Sequence, residues 1–329
     1  MLNLTVSMLA SRLSIPKFII GPTLKVLGLL FRFSKSRELW SLPEMQSMKN
    51  SIMLTKSRDS EIPPSAKFRE FTIIFVATSK DLAILPFAIR FALNSLKSFN
   101  VKRVQVYVPD QDFELVKNST HFALPLIEIF SENFFFQFTQ LTAYFESTYP
   151  ERGAWCSQQI LKLHAVANCE TNYALIVDAD TLLLRERPWV DEDGRTLLSP
   201  SLEYHKPYYS ALREIGLELR KPHLSFVPHH MAYHVATLQK ILIKYRIHNI
   251  DEMKLTMKKL KSRDKRSPFC VDYEFYGQEE YSSRGSSVEL MRWANFWIKP
   301  KTFQTLQKWP LLIDWLSLFF NSISIHKRD

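Results

Sequence analysis

The sequence predicts a single α/β domain in which helices flank a mostly parallel central sheet. Apolar strand patterns alternate with helical patterns through the middle of the chain, and such alternation is typical of parallel strands joined by covering helices. The chain has 329 residues, of which 46% are hydrophobic and 13% aromatic, so it can bury a large core. Both observations favour a folded protein over a disordered one.

The predicted elements follow one another from residue 71. The strands are assigned from runs of apolar or alternating residues, and the helices from apolar residues at helical spacing. In chain order, the elements are a strand at 71–79, a helix at 81–99, a strand at 101–109, a short helix from Asp110, a strand at 123–130, a helix at 155–169, a strand at 173–180, and helices at 206–219, 236–247 and 250–266.

The two ends of the chain differ from its middle. Residues 1–66 are predicted to be a basic amphipathic leader and linker, because charges such as Arg12 and Lys17 interrupt every apolar run before it reaches the roughly 20 residues of a membrane span. Such a leader would contact a membrane surface. The main domain is expected at 67–300, and a C-terminal amphipathic helix is expected within 301–329.

Charge, cysteine and glycine content narrow the partners and the compartment. A formal net charge of +10 favours acidic partners, among them nucleic acid, anionic lipid and phosphorylated substrates. The three cysteines have no CxxC spacing, which argues against a disulfide framework or a zinc site and favours a reducing, cytoplasmic compartment. Neither GxGxxG nor GxxxxGKS/T occurs, so the common phosphate-binding loops are absent from the sequence.

Two aspartates follow the apolar strand YALIV. In an open parallel sheet, ligands bind outside the carboxyl ends of the strands, where Asp178 and Asp180 are expected. Residues two apart in a strand point to the same side, and two neighbouring carboxylates repel each other unless a cation or donors lie between them. Mg²⁺ or Mn²⁺ would satisfy this pair and leave positions for phosphate oxygens. The alternative is that one aspartate caps a turn after the strand.

The surrounding motifs resemble those of known enzymes. IVDADTLLLR resembles the LDADTL-type segment of GT-A-fold glycosyltransferases, and the preceding helix carries a lysine, as in the glycogenin-like family. The similarity is closer to a bacterial family of DxD-containing, glycosyltransferase-like proteins known only as a domain of unknown function. QQILKL, DADT, EYHKPYY, SFVPHHM and DYEFYG appear in that family's order over about residues 70–296. The resemblance implies a GT-A-like, Rossmann-type catalytic domain.

By the same resemblance, the protein would transfer a sugar from a nucleotide-sugar donor to a glycan or lipid-linked acceptor, using Mn²⁺ or Mg²⁺, in surface polysaccharide synthesis. The implied metal ligands are Asp178, Asp180 and, preferably, His230, with His229 as the alternative. The residues implied for binding the donor are Thr78, Ser79, Asp81, Gln159, Lys162 and Asp178. Ser79 could instead cap the following helix, and Lys162 could extend its charge to the surface.

Two later motifs supply the expected acceptor and catalytic residues. Asp272 and Glu274 of DYEFYG lie in a segment that is expected to be exposed, and one of them would deprotonate the acceptor if the enzyme inverts the anomeric centre. A retaining enzyme would not need this base. EYHKPYY is suited to hydrogen bonding and stacking against sugars, although its aromatic residues could simply pack. The substrate residues expected there are Glu203, Tyr204, His205 and Lys206.

Two other classes of function remain open. A metal-dependent nucleotidyl or phosphoryl transferase also uses paired carboxylates, but it would need further carboxylates near the first strand, where the sequence offers only Asp81. A non-catalytic sugar- or nucleic-acid-binding protein could keep the same fold. No RNA-binding signature accompanies the basic charge, so no nucleic-acid partner is expected. The favoured prediction is a cytoplasmic glycosyltransferase with peripheral contact at the inner membrane face.

Overall fold

The computed structural model describes the chain from residue 62 onwards, with gaps. The described residues are 62–150, 152–200, 206–219, 225–258, 260, 272–284, 293–298, 313, 316–317 and 320–327. The predicted leader before residue 62 lies outside them. The strands are β1 (Glu70–Val76), β2 (Asn100–Val108), β3 (Ile127–Ser131), β4 (Tyr173–Val177), β5 (Thr181–Leu183), β6 (His230–His234), β7 (Trp293–Ile298) and β8 (Ser322–Lys327).

Five of these strands form the central sheet, in the order β3-β2-β1-β4-β6. β1 pairs in parallel with β2 and β4, β2 pairs in parallel with β3, and β6 runs antiparallel to β4. The predicted mostly parallel sheet is therefore confirmed. Because the chain adds β2 and β3 on one side of β1 and β4 on the other, the strand order reverses between β1 and β4. A crevice is expected there, at the carboxyl ends of both strands.

Helices connect and cover the strands. They are α1 (Leu85–Ser95), α2 (Asp110–Lys117), α3 (Phe138–Glu146), α4 (Gly153–Ala167), α5 (Lys206–Glu214), α6 (Val235–Lys244), α7 (Ile250–Lys258) and α8 (Tyr273–Glu279). α4 contacts β1, β4 and α6, so it lies over the middle of the sheet. Within the described ranges, no helix combines the length and the apolarity needed to cross a membrane.

The core is densest around β1 and β4. Phe71, Ile73, Ile74 and Phe75 of β1 have no exposed surface, and all five residues of β4 are buried. Adjacent residues of a strand point to opposite faces, so both faces of these strands are covered. The turns that follow β1 and β4 therefore start from well-packed strands.

A smaller sheet lies beside the end of β4. Its strand order is β5-β8-β7, with β8 antiparallel to β5 and parallel to β7. The hydroxyls of Thr181 and Ser324 are 2.7 Å apart, and the amide of Ile325 donates to the carbonyl of Asp180 at 2.8 Å. The helix expected within 301–329 from the spacing in 309–320 does not extend to 322–327, which forms β8, because isoleucines alternate there with polar residues at the period of a strand. Within 309–320, residues 313, 316 and 317 are described as helical.

Most elements predicted between residues 71 and 180 are confirmed with shifted ends. α1 begins four residues later than predicted, and β4 ends at Val177, so the two aspartates lie in a turn rather than in a strand. The sequence reasoning assigned no element at five described positions: α3, β5, β6, α8 and β7. The predicted basic helix at 250–266 is described as far as Lys258; residues 261–266 lie outside the described part.

Candidate active site

Asp178 is the first residue after β4, at the crevice where the strand order reverses. Its carboxylate accepts hydrogen bonds from Lys162 Nζ and from the Tyr273 hydroxyl, each at 2.6 Å and each to Oδ1. His229 Nδ1 lies 3.0 Å from the other oxygen, Oδ2. Burial alone would raise the pKa of Asp178, but the nearby Lys162 ammonium and His229 hold it well below its ordinary value. Asp178 is therefore ionised throughout the physiological range.

Lys162 projects from α4 and lies between two carboxylates. Its Nζ is 2.6 Å from Asp178 Oδ1 and 3.0 Å from Asp272 Oδ2, and the exposed fractions of the Lys162 and Asp272 side chains are 10% and 5%. Burial disfavours the ammonium, but the two carboxylates outweigh it and raise the pKa of Lys162. The alternative in which Lys162 extends to the surface is wrong, because its charge is held inside the molecule.

Asp272 and Tyr273 begin α8 and serve both the helix and the cluster. The Asp272 carboxylate accepts from the Tyr273 amide at 2.8 Å and so caps the helix. The Tyr273 ring lies 4.8 Å from Lys162 Nζ. Tyr273 was missed by the sequence reasoning, although it lies within the DYEFYG motif, because no spacing rule connects its hydroxyl to Asp178. Asp178, Lys162, Asp272, Tyr273 and His229 are called the Asp178 cluster below.

His229 reaches Asp178 through an unusual backbone conformation. Its φ is 63°, in the left-handed region that residues other than glycine rarely adopt, and its carbonyl accepts from the Asp178 amide at 2.9 Å. His230 is the next residue and pairs with Val177 in β6. Its ring is 1% exposed and lies edge-on to Trp189, with 5.7 Å between ring centroids. Burial lowers the pKa of His230 to about 3. His229 therefore contacts Asp178 directly, whereas the role of His230 as the preferred metal ligand stays a prediction.

Asp180 lies in the turn between β4 and β5 and is half-buried. Its carbonyl is held by Ile325 of β8, and the next residue of that strand is His326. Within the described part of the chain, no three histidine, cysteine, aspartate or glutamate side chains form a cluster suited to a metal ion. The carboxylates of Asp178 and Asp180 are nevertheless the hard oxygen donors that Mn²⁺ and Mg²⁺ require, and they stand two residues apart in one turn. By donor chemistry, the turn suits a divalent cation.

The residues predicted to meet the nucleotide lie in the turn after β1. Asp81 Oδ2 accepts from the Thr78 amide at 2.9 Å and from the Thr78 hydroxyl at 2.8 Å, which closes that turn. Ser79 is exposed. Because α1 begins at Leu85 with no side-chain cap, the alternative role of Ser79 as a helix cap is wrong. Since β1 and β4 are adjacent and parallel, this turn and Asp178 lie at the same edge of the sheet.

The other predicted residues are distributed more widely. Gln159 is buried in α4, and Lys206 is the first residue of α5; Glu203, Tyr204 and His205 lie outside the described residues. The DYEFYG segment was expected to be exposed, and this was wrong: Glu274 has no exposed surface. No sequence pattern indicated this burial, because two acidic residues and two tyrosines in six positions are typical of a surface segment. The hydrogen-bond partners of Glu274 include Ser225, Phe226 and Gln278.

Comparison with known protein families gives one match. A family of unknown function, DUF6492, matches residues 83–293, which is more than half of the chain. The chain belongs to this family. The DUF6492 match includes the whole Asp178 cluster and residues Asp178–Asp180, which are called the DAD turn below. Thr78 and Asp81 precede the matched region. No curated protein sequence matches the chain.

Solved structures resemble the DUF6492 chain at low identity. The galactosyltransferase LgtC, in complex with donor and acceptor sugar analogs, is 14% identical with a TM-score of 0.42, over 77% of this chain and 86% of LgtC. An active-site mutant of LgtC is 13% identical with a TM-score of 0.41 and the same coverage. Mouse xyloside xylosyltransferase 1, in its apo form, is 9% identical with a TM-score of 0.42, over 78% of this chain and 97% of that one.

Proposed function

We propose that this protein is a metal-dependent glycosyltransferase that uses a nucleotide-sugar donor. The observation that carries the proposal is the Asp178 cluster: an ionised aspartate at the carboxyl end of β4, next to the strand-order reversal, held between Lys162 and His229. Clefts of this kind bind nucleotides in open α/β sheets. The motif resemblance adds the class of reaction, which the site alone would leave open.

The DAD turn supplies the proposed metal ligands. Asp178 and Asp180 would hold Mn²⁺ or Mg²⁺, with His229 as the imidazole that contacts Asp178. When bound, such an ion stabilises the negative charge that develops on a departing nucleoside diphosphate. Lys162 adds a fixed positive charge beside the same aspartate, and Asp272 and Tyr273 keep its ammonium in place. The turn of Thr78 and Asp81 would contact the nucleoside.

An acceptor region is proposed near α5. The ring of Tyr208 in α5 stacks with that of Trp155 in α4 at 6.2 Å, and both residues are half-buried. Arg152 lies 5.6 Å from the Trp155 ring. Partly exposed aromatic rings beside a cation suit a sugar, which offers apolar faces and hydroxyl groups. Together with the EYHKPYY residues before α5, this region would receive a glycan or lipid-linked acceptor.

Thermal unfolding with a panel of nucleotide-sugars, each with and without Mn²⁺, tests the proposal. A ligand that binds only the folded state stabilises it by about 2.7 kcal/mol at 100 times its Kd. We expect Mn²⁺-dependent stabilisation by one donor class, lost in Asp180→Ala and kept in Asp251→Ala, an exposed aspartate at the start of α7. The stabilising donor is then used to search for acceptors by product formation.

Three outcomes would contradict the proposal. Stabilisation by nucleoside triphosphates but by no nucleotide-sugar or nucleoside diphosphate would favour the nucleotidyl or phosphoryl transferase. Stabilisation by nucleic acid or anionic lipid alone would assign the function to the basic surface instead. Equal Mn²⁺-dependent stabilisation of Asp180→Ala and the wild type would show that the DAD turn does not bind the metal and donor.

A further inference from the structure

The segment Ser225–His229 connects α8 to the Asp178 cluster. At its end, His229 contacts the Asp178 carboxylate and adopts a left-handed backbone conformation. Pro228, just before it, has a ring that restricts its own φ and disfavours the helical region for the residue before it. A histidine with φ of 63° is maintained only where the surrounding structure fixes the chain. Some other contact must therefore hold the beginning of this segment.

Glu274 supplies that contact from within α8. Its Oε2 accepts from the Ser225 hydroxyl at 2.9 Å and from the Phe226 amide at 3.1 Å, and its Oε1 accepts from Gln278 Nε2 at 2.6 Å. Glu274 has no exposed surface, and Ser225 and Phe226 are 1% and 0% exposed. Hydrogen bonds in such a buried place are costly to lose, because water cannot replace the missing partner. The carboxylate thus fixes two consecutive residues of the segment on the helix.

A glycine in the same helix brings the segment closer. A Cβ added to Gly277 would lie 2.6 Å from Cβ and 2.7 Å from Cγ of Phe226, which is closer than carbon atoms pack. Phe226 therefore lies directly on the backbone of α8, one helical turn from Glu274. The hydrogen bonds and the packing fix the beginning of the segment independently, and only two residues lie between Phe226 and His229.

We propose that Glu274 is a positioning residue that holds His229 against Asp178 by anchoring the Ser225–His229 segment on α8. The same helix begins with Asp272 and Tyr273, so α8 fixes three parts of the Asp178 cluster at once. This role replaces the acceptor-deprotonating role that the sequence predicted for Glu274, since its oxygens face protein donors in the interior. The link from His229 to the donor site rests on the proposed function.

Glu274→Gln and Glu274→Ala distinguish a positioning residue from a general base at this position. The amide oxygen of glutamine can still accept from Ser225 and Phe226, while its NH₂ group faces Gln278, whose own amide can turn to offer its oxygen. A positioning residue therefore tolerates glutamine, whereas a general base does not. The matched control is Glu279→Ala, which removes another buried carboxylate of α8, one that binds Lys244 and Tyr245 instead.

Hydrogen–deuterium exchange of peptides covering residues 225–231 measures the anchoring without any ligand. We expect Glu274→Ala to raise exchange there by about 10-fold or more, because buried donors lose their acceptor. Glu274→Gln and Glu279→Ala should leave it near the wild-type rate. Ser225→Ala, a milder change that keeps the carboxylate, should give a smaller increase and covers the case in which Glu274→Ala does not fold. Unchanged exchange in both Glu274→Ala and Ser225→Ala would overturn the proposal.

Titration with Mn²⁺ and UDP measures the consequence for the site. Loss of a residue that supports a metal site typically lowers metal affinity by about 10- to 100-fold. We expect similar losses in Glu274→Ala and His229→Ala, no further loss in the double variant, and near wild-type affinity in Glu274→Gln. Losses that multiply in the double variant, or a Glu274→Gln as weak as Glu274→Ala, would overturn the proposal. A wild type that binds neither Mn²⁺ nor UDP refutes the proposed function instead, and the exchange result then decides the anchoring by itself.

Discussion

Lys162 is the residue on which the Asp178 cluster depends most, and its removal gives the sharpest test. At an effective dielectric constant of 20, an ammonium attracts a carboxylate by about 6 kcal/mol at the 2.6 Å of Asp178 and by about 5.5 kcal/mol at the 3.0 Å of Asp272. Burying the three charges costs several kcal/mol per ion, so the net gain is much smaller than the sum. Removing only the cation leaves the Asp178 and Asp272 carboxylates without the counterion that they share.

We therefore expect Lys162→Met to lower the free energy of unfolding by about 3–5 kcal/mol, as is typical of a broken buried ion pair. Methionine keeps most of the apolar stem, so packing changes little. Urea titrations followed by circular dichroism measure the loss. The control is Lys102→Met, the same substitution in an ion pair with Glu70 where the lysine and glutamate side chains are 46% and 41% exposed, and it should cost at most about 1 kcal/mol.

A double variant tests the reason for the loss. Lys162→Met combined with Asp272→Asn also removes one of the two carboxylate charges that Lys162 balances, and asparagine keeps an acceptor for the cap of α8. The double variant should lose less free energy of unfolding than the sum of the losses in the two single variants, by about 1 kcal/mol or more. Equal losses in Lys162→Met and Lys102→Met, or strictly additive losses in the double variant, would refute the account of Lys162 as the buried counterion of the cluster.

Three further predictions concern the surroundings of the cluster. Burial raises the pKa of Glu274 from its ordinary 4.5 to about 7, so its stabilising contribution is present below about pH 4.5 and is lost as the pH rises towards 7. Relative to Glu274→Gln, the wild type should lose about 3 kcal/mol of unfolding free energy over that window, and a pH-independent difference in urea titrations would contradict this. Gly277→Ala would place a methyl group 2.6 Å from Phe226 and should cost about 1–3 kcal/mol; unchanged stability would show that the contact is loose. His230→Phe, which keeps an aromatic ring against Trp189, should retain Mn²⁺-dependent thermal stabilisation by UDP. A variant that lacks this stabilisation would identify His230 as a metal ligand.

The sheet was predictable because its signals are local. The apolar runs of β1 and β4 and the helical spacing in α1 and α4 depend only on neighbouring residues, and the alternation of the two classes of element implies a parallel sheet. β6 lacks such a signal. HMAYH begins and ends with histidine, and its antiparallel pairing with β4 depends on a tertiary contact that no sequence period records.

The site was predictable in part. The DAD motif indicated the correct edge of the sheet, and Lys162 was found because it precedes that motif on a helix. The contact of His229 with Asp178 was not predictable, since strand alternation fails where a residue adopts a positive φ. The burial of Glu274 was hidden for a different reason: Ser225 and Phe226, which satisfy its carboxylate, lie 49 and 48 residues away in the sequence.

The long separations within the site have a consequence for how the chain acquires it. Lys162 and Asp272 are 110 residues apart, and Thr181 of β5 and Ser324 of β8 are 143 residues apart. Closing such long loops costs entropy before any contact repays it, so contacts of this kind tend to form late in folding. A fragment that ends between the DAD turn and Asp272 would contain the motif but not the carboxylate that shares Lys162. Ligand binding at Asp178 is therefore expected to appear only when the whole domain has folded.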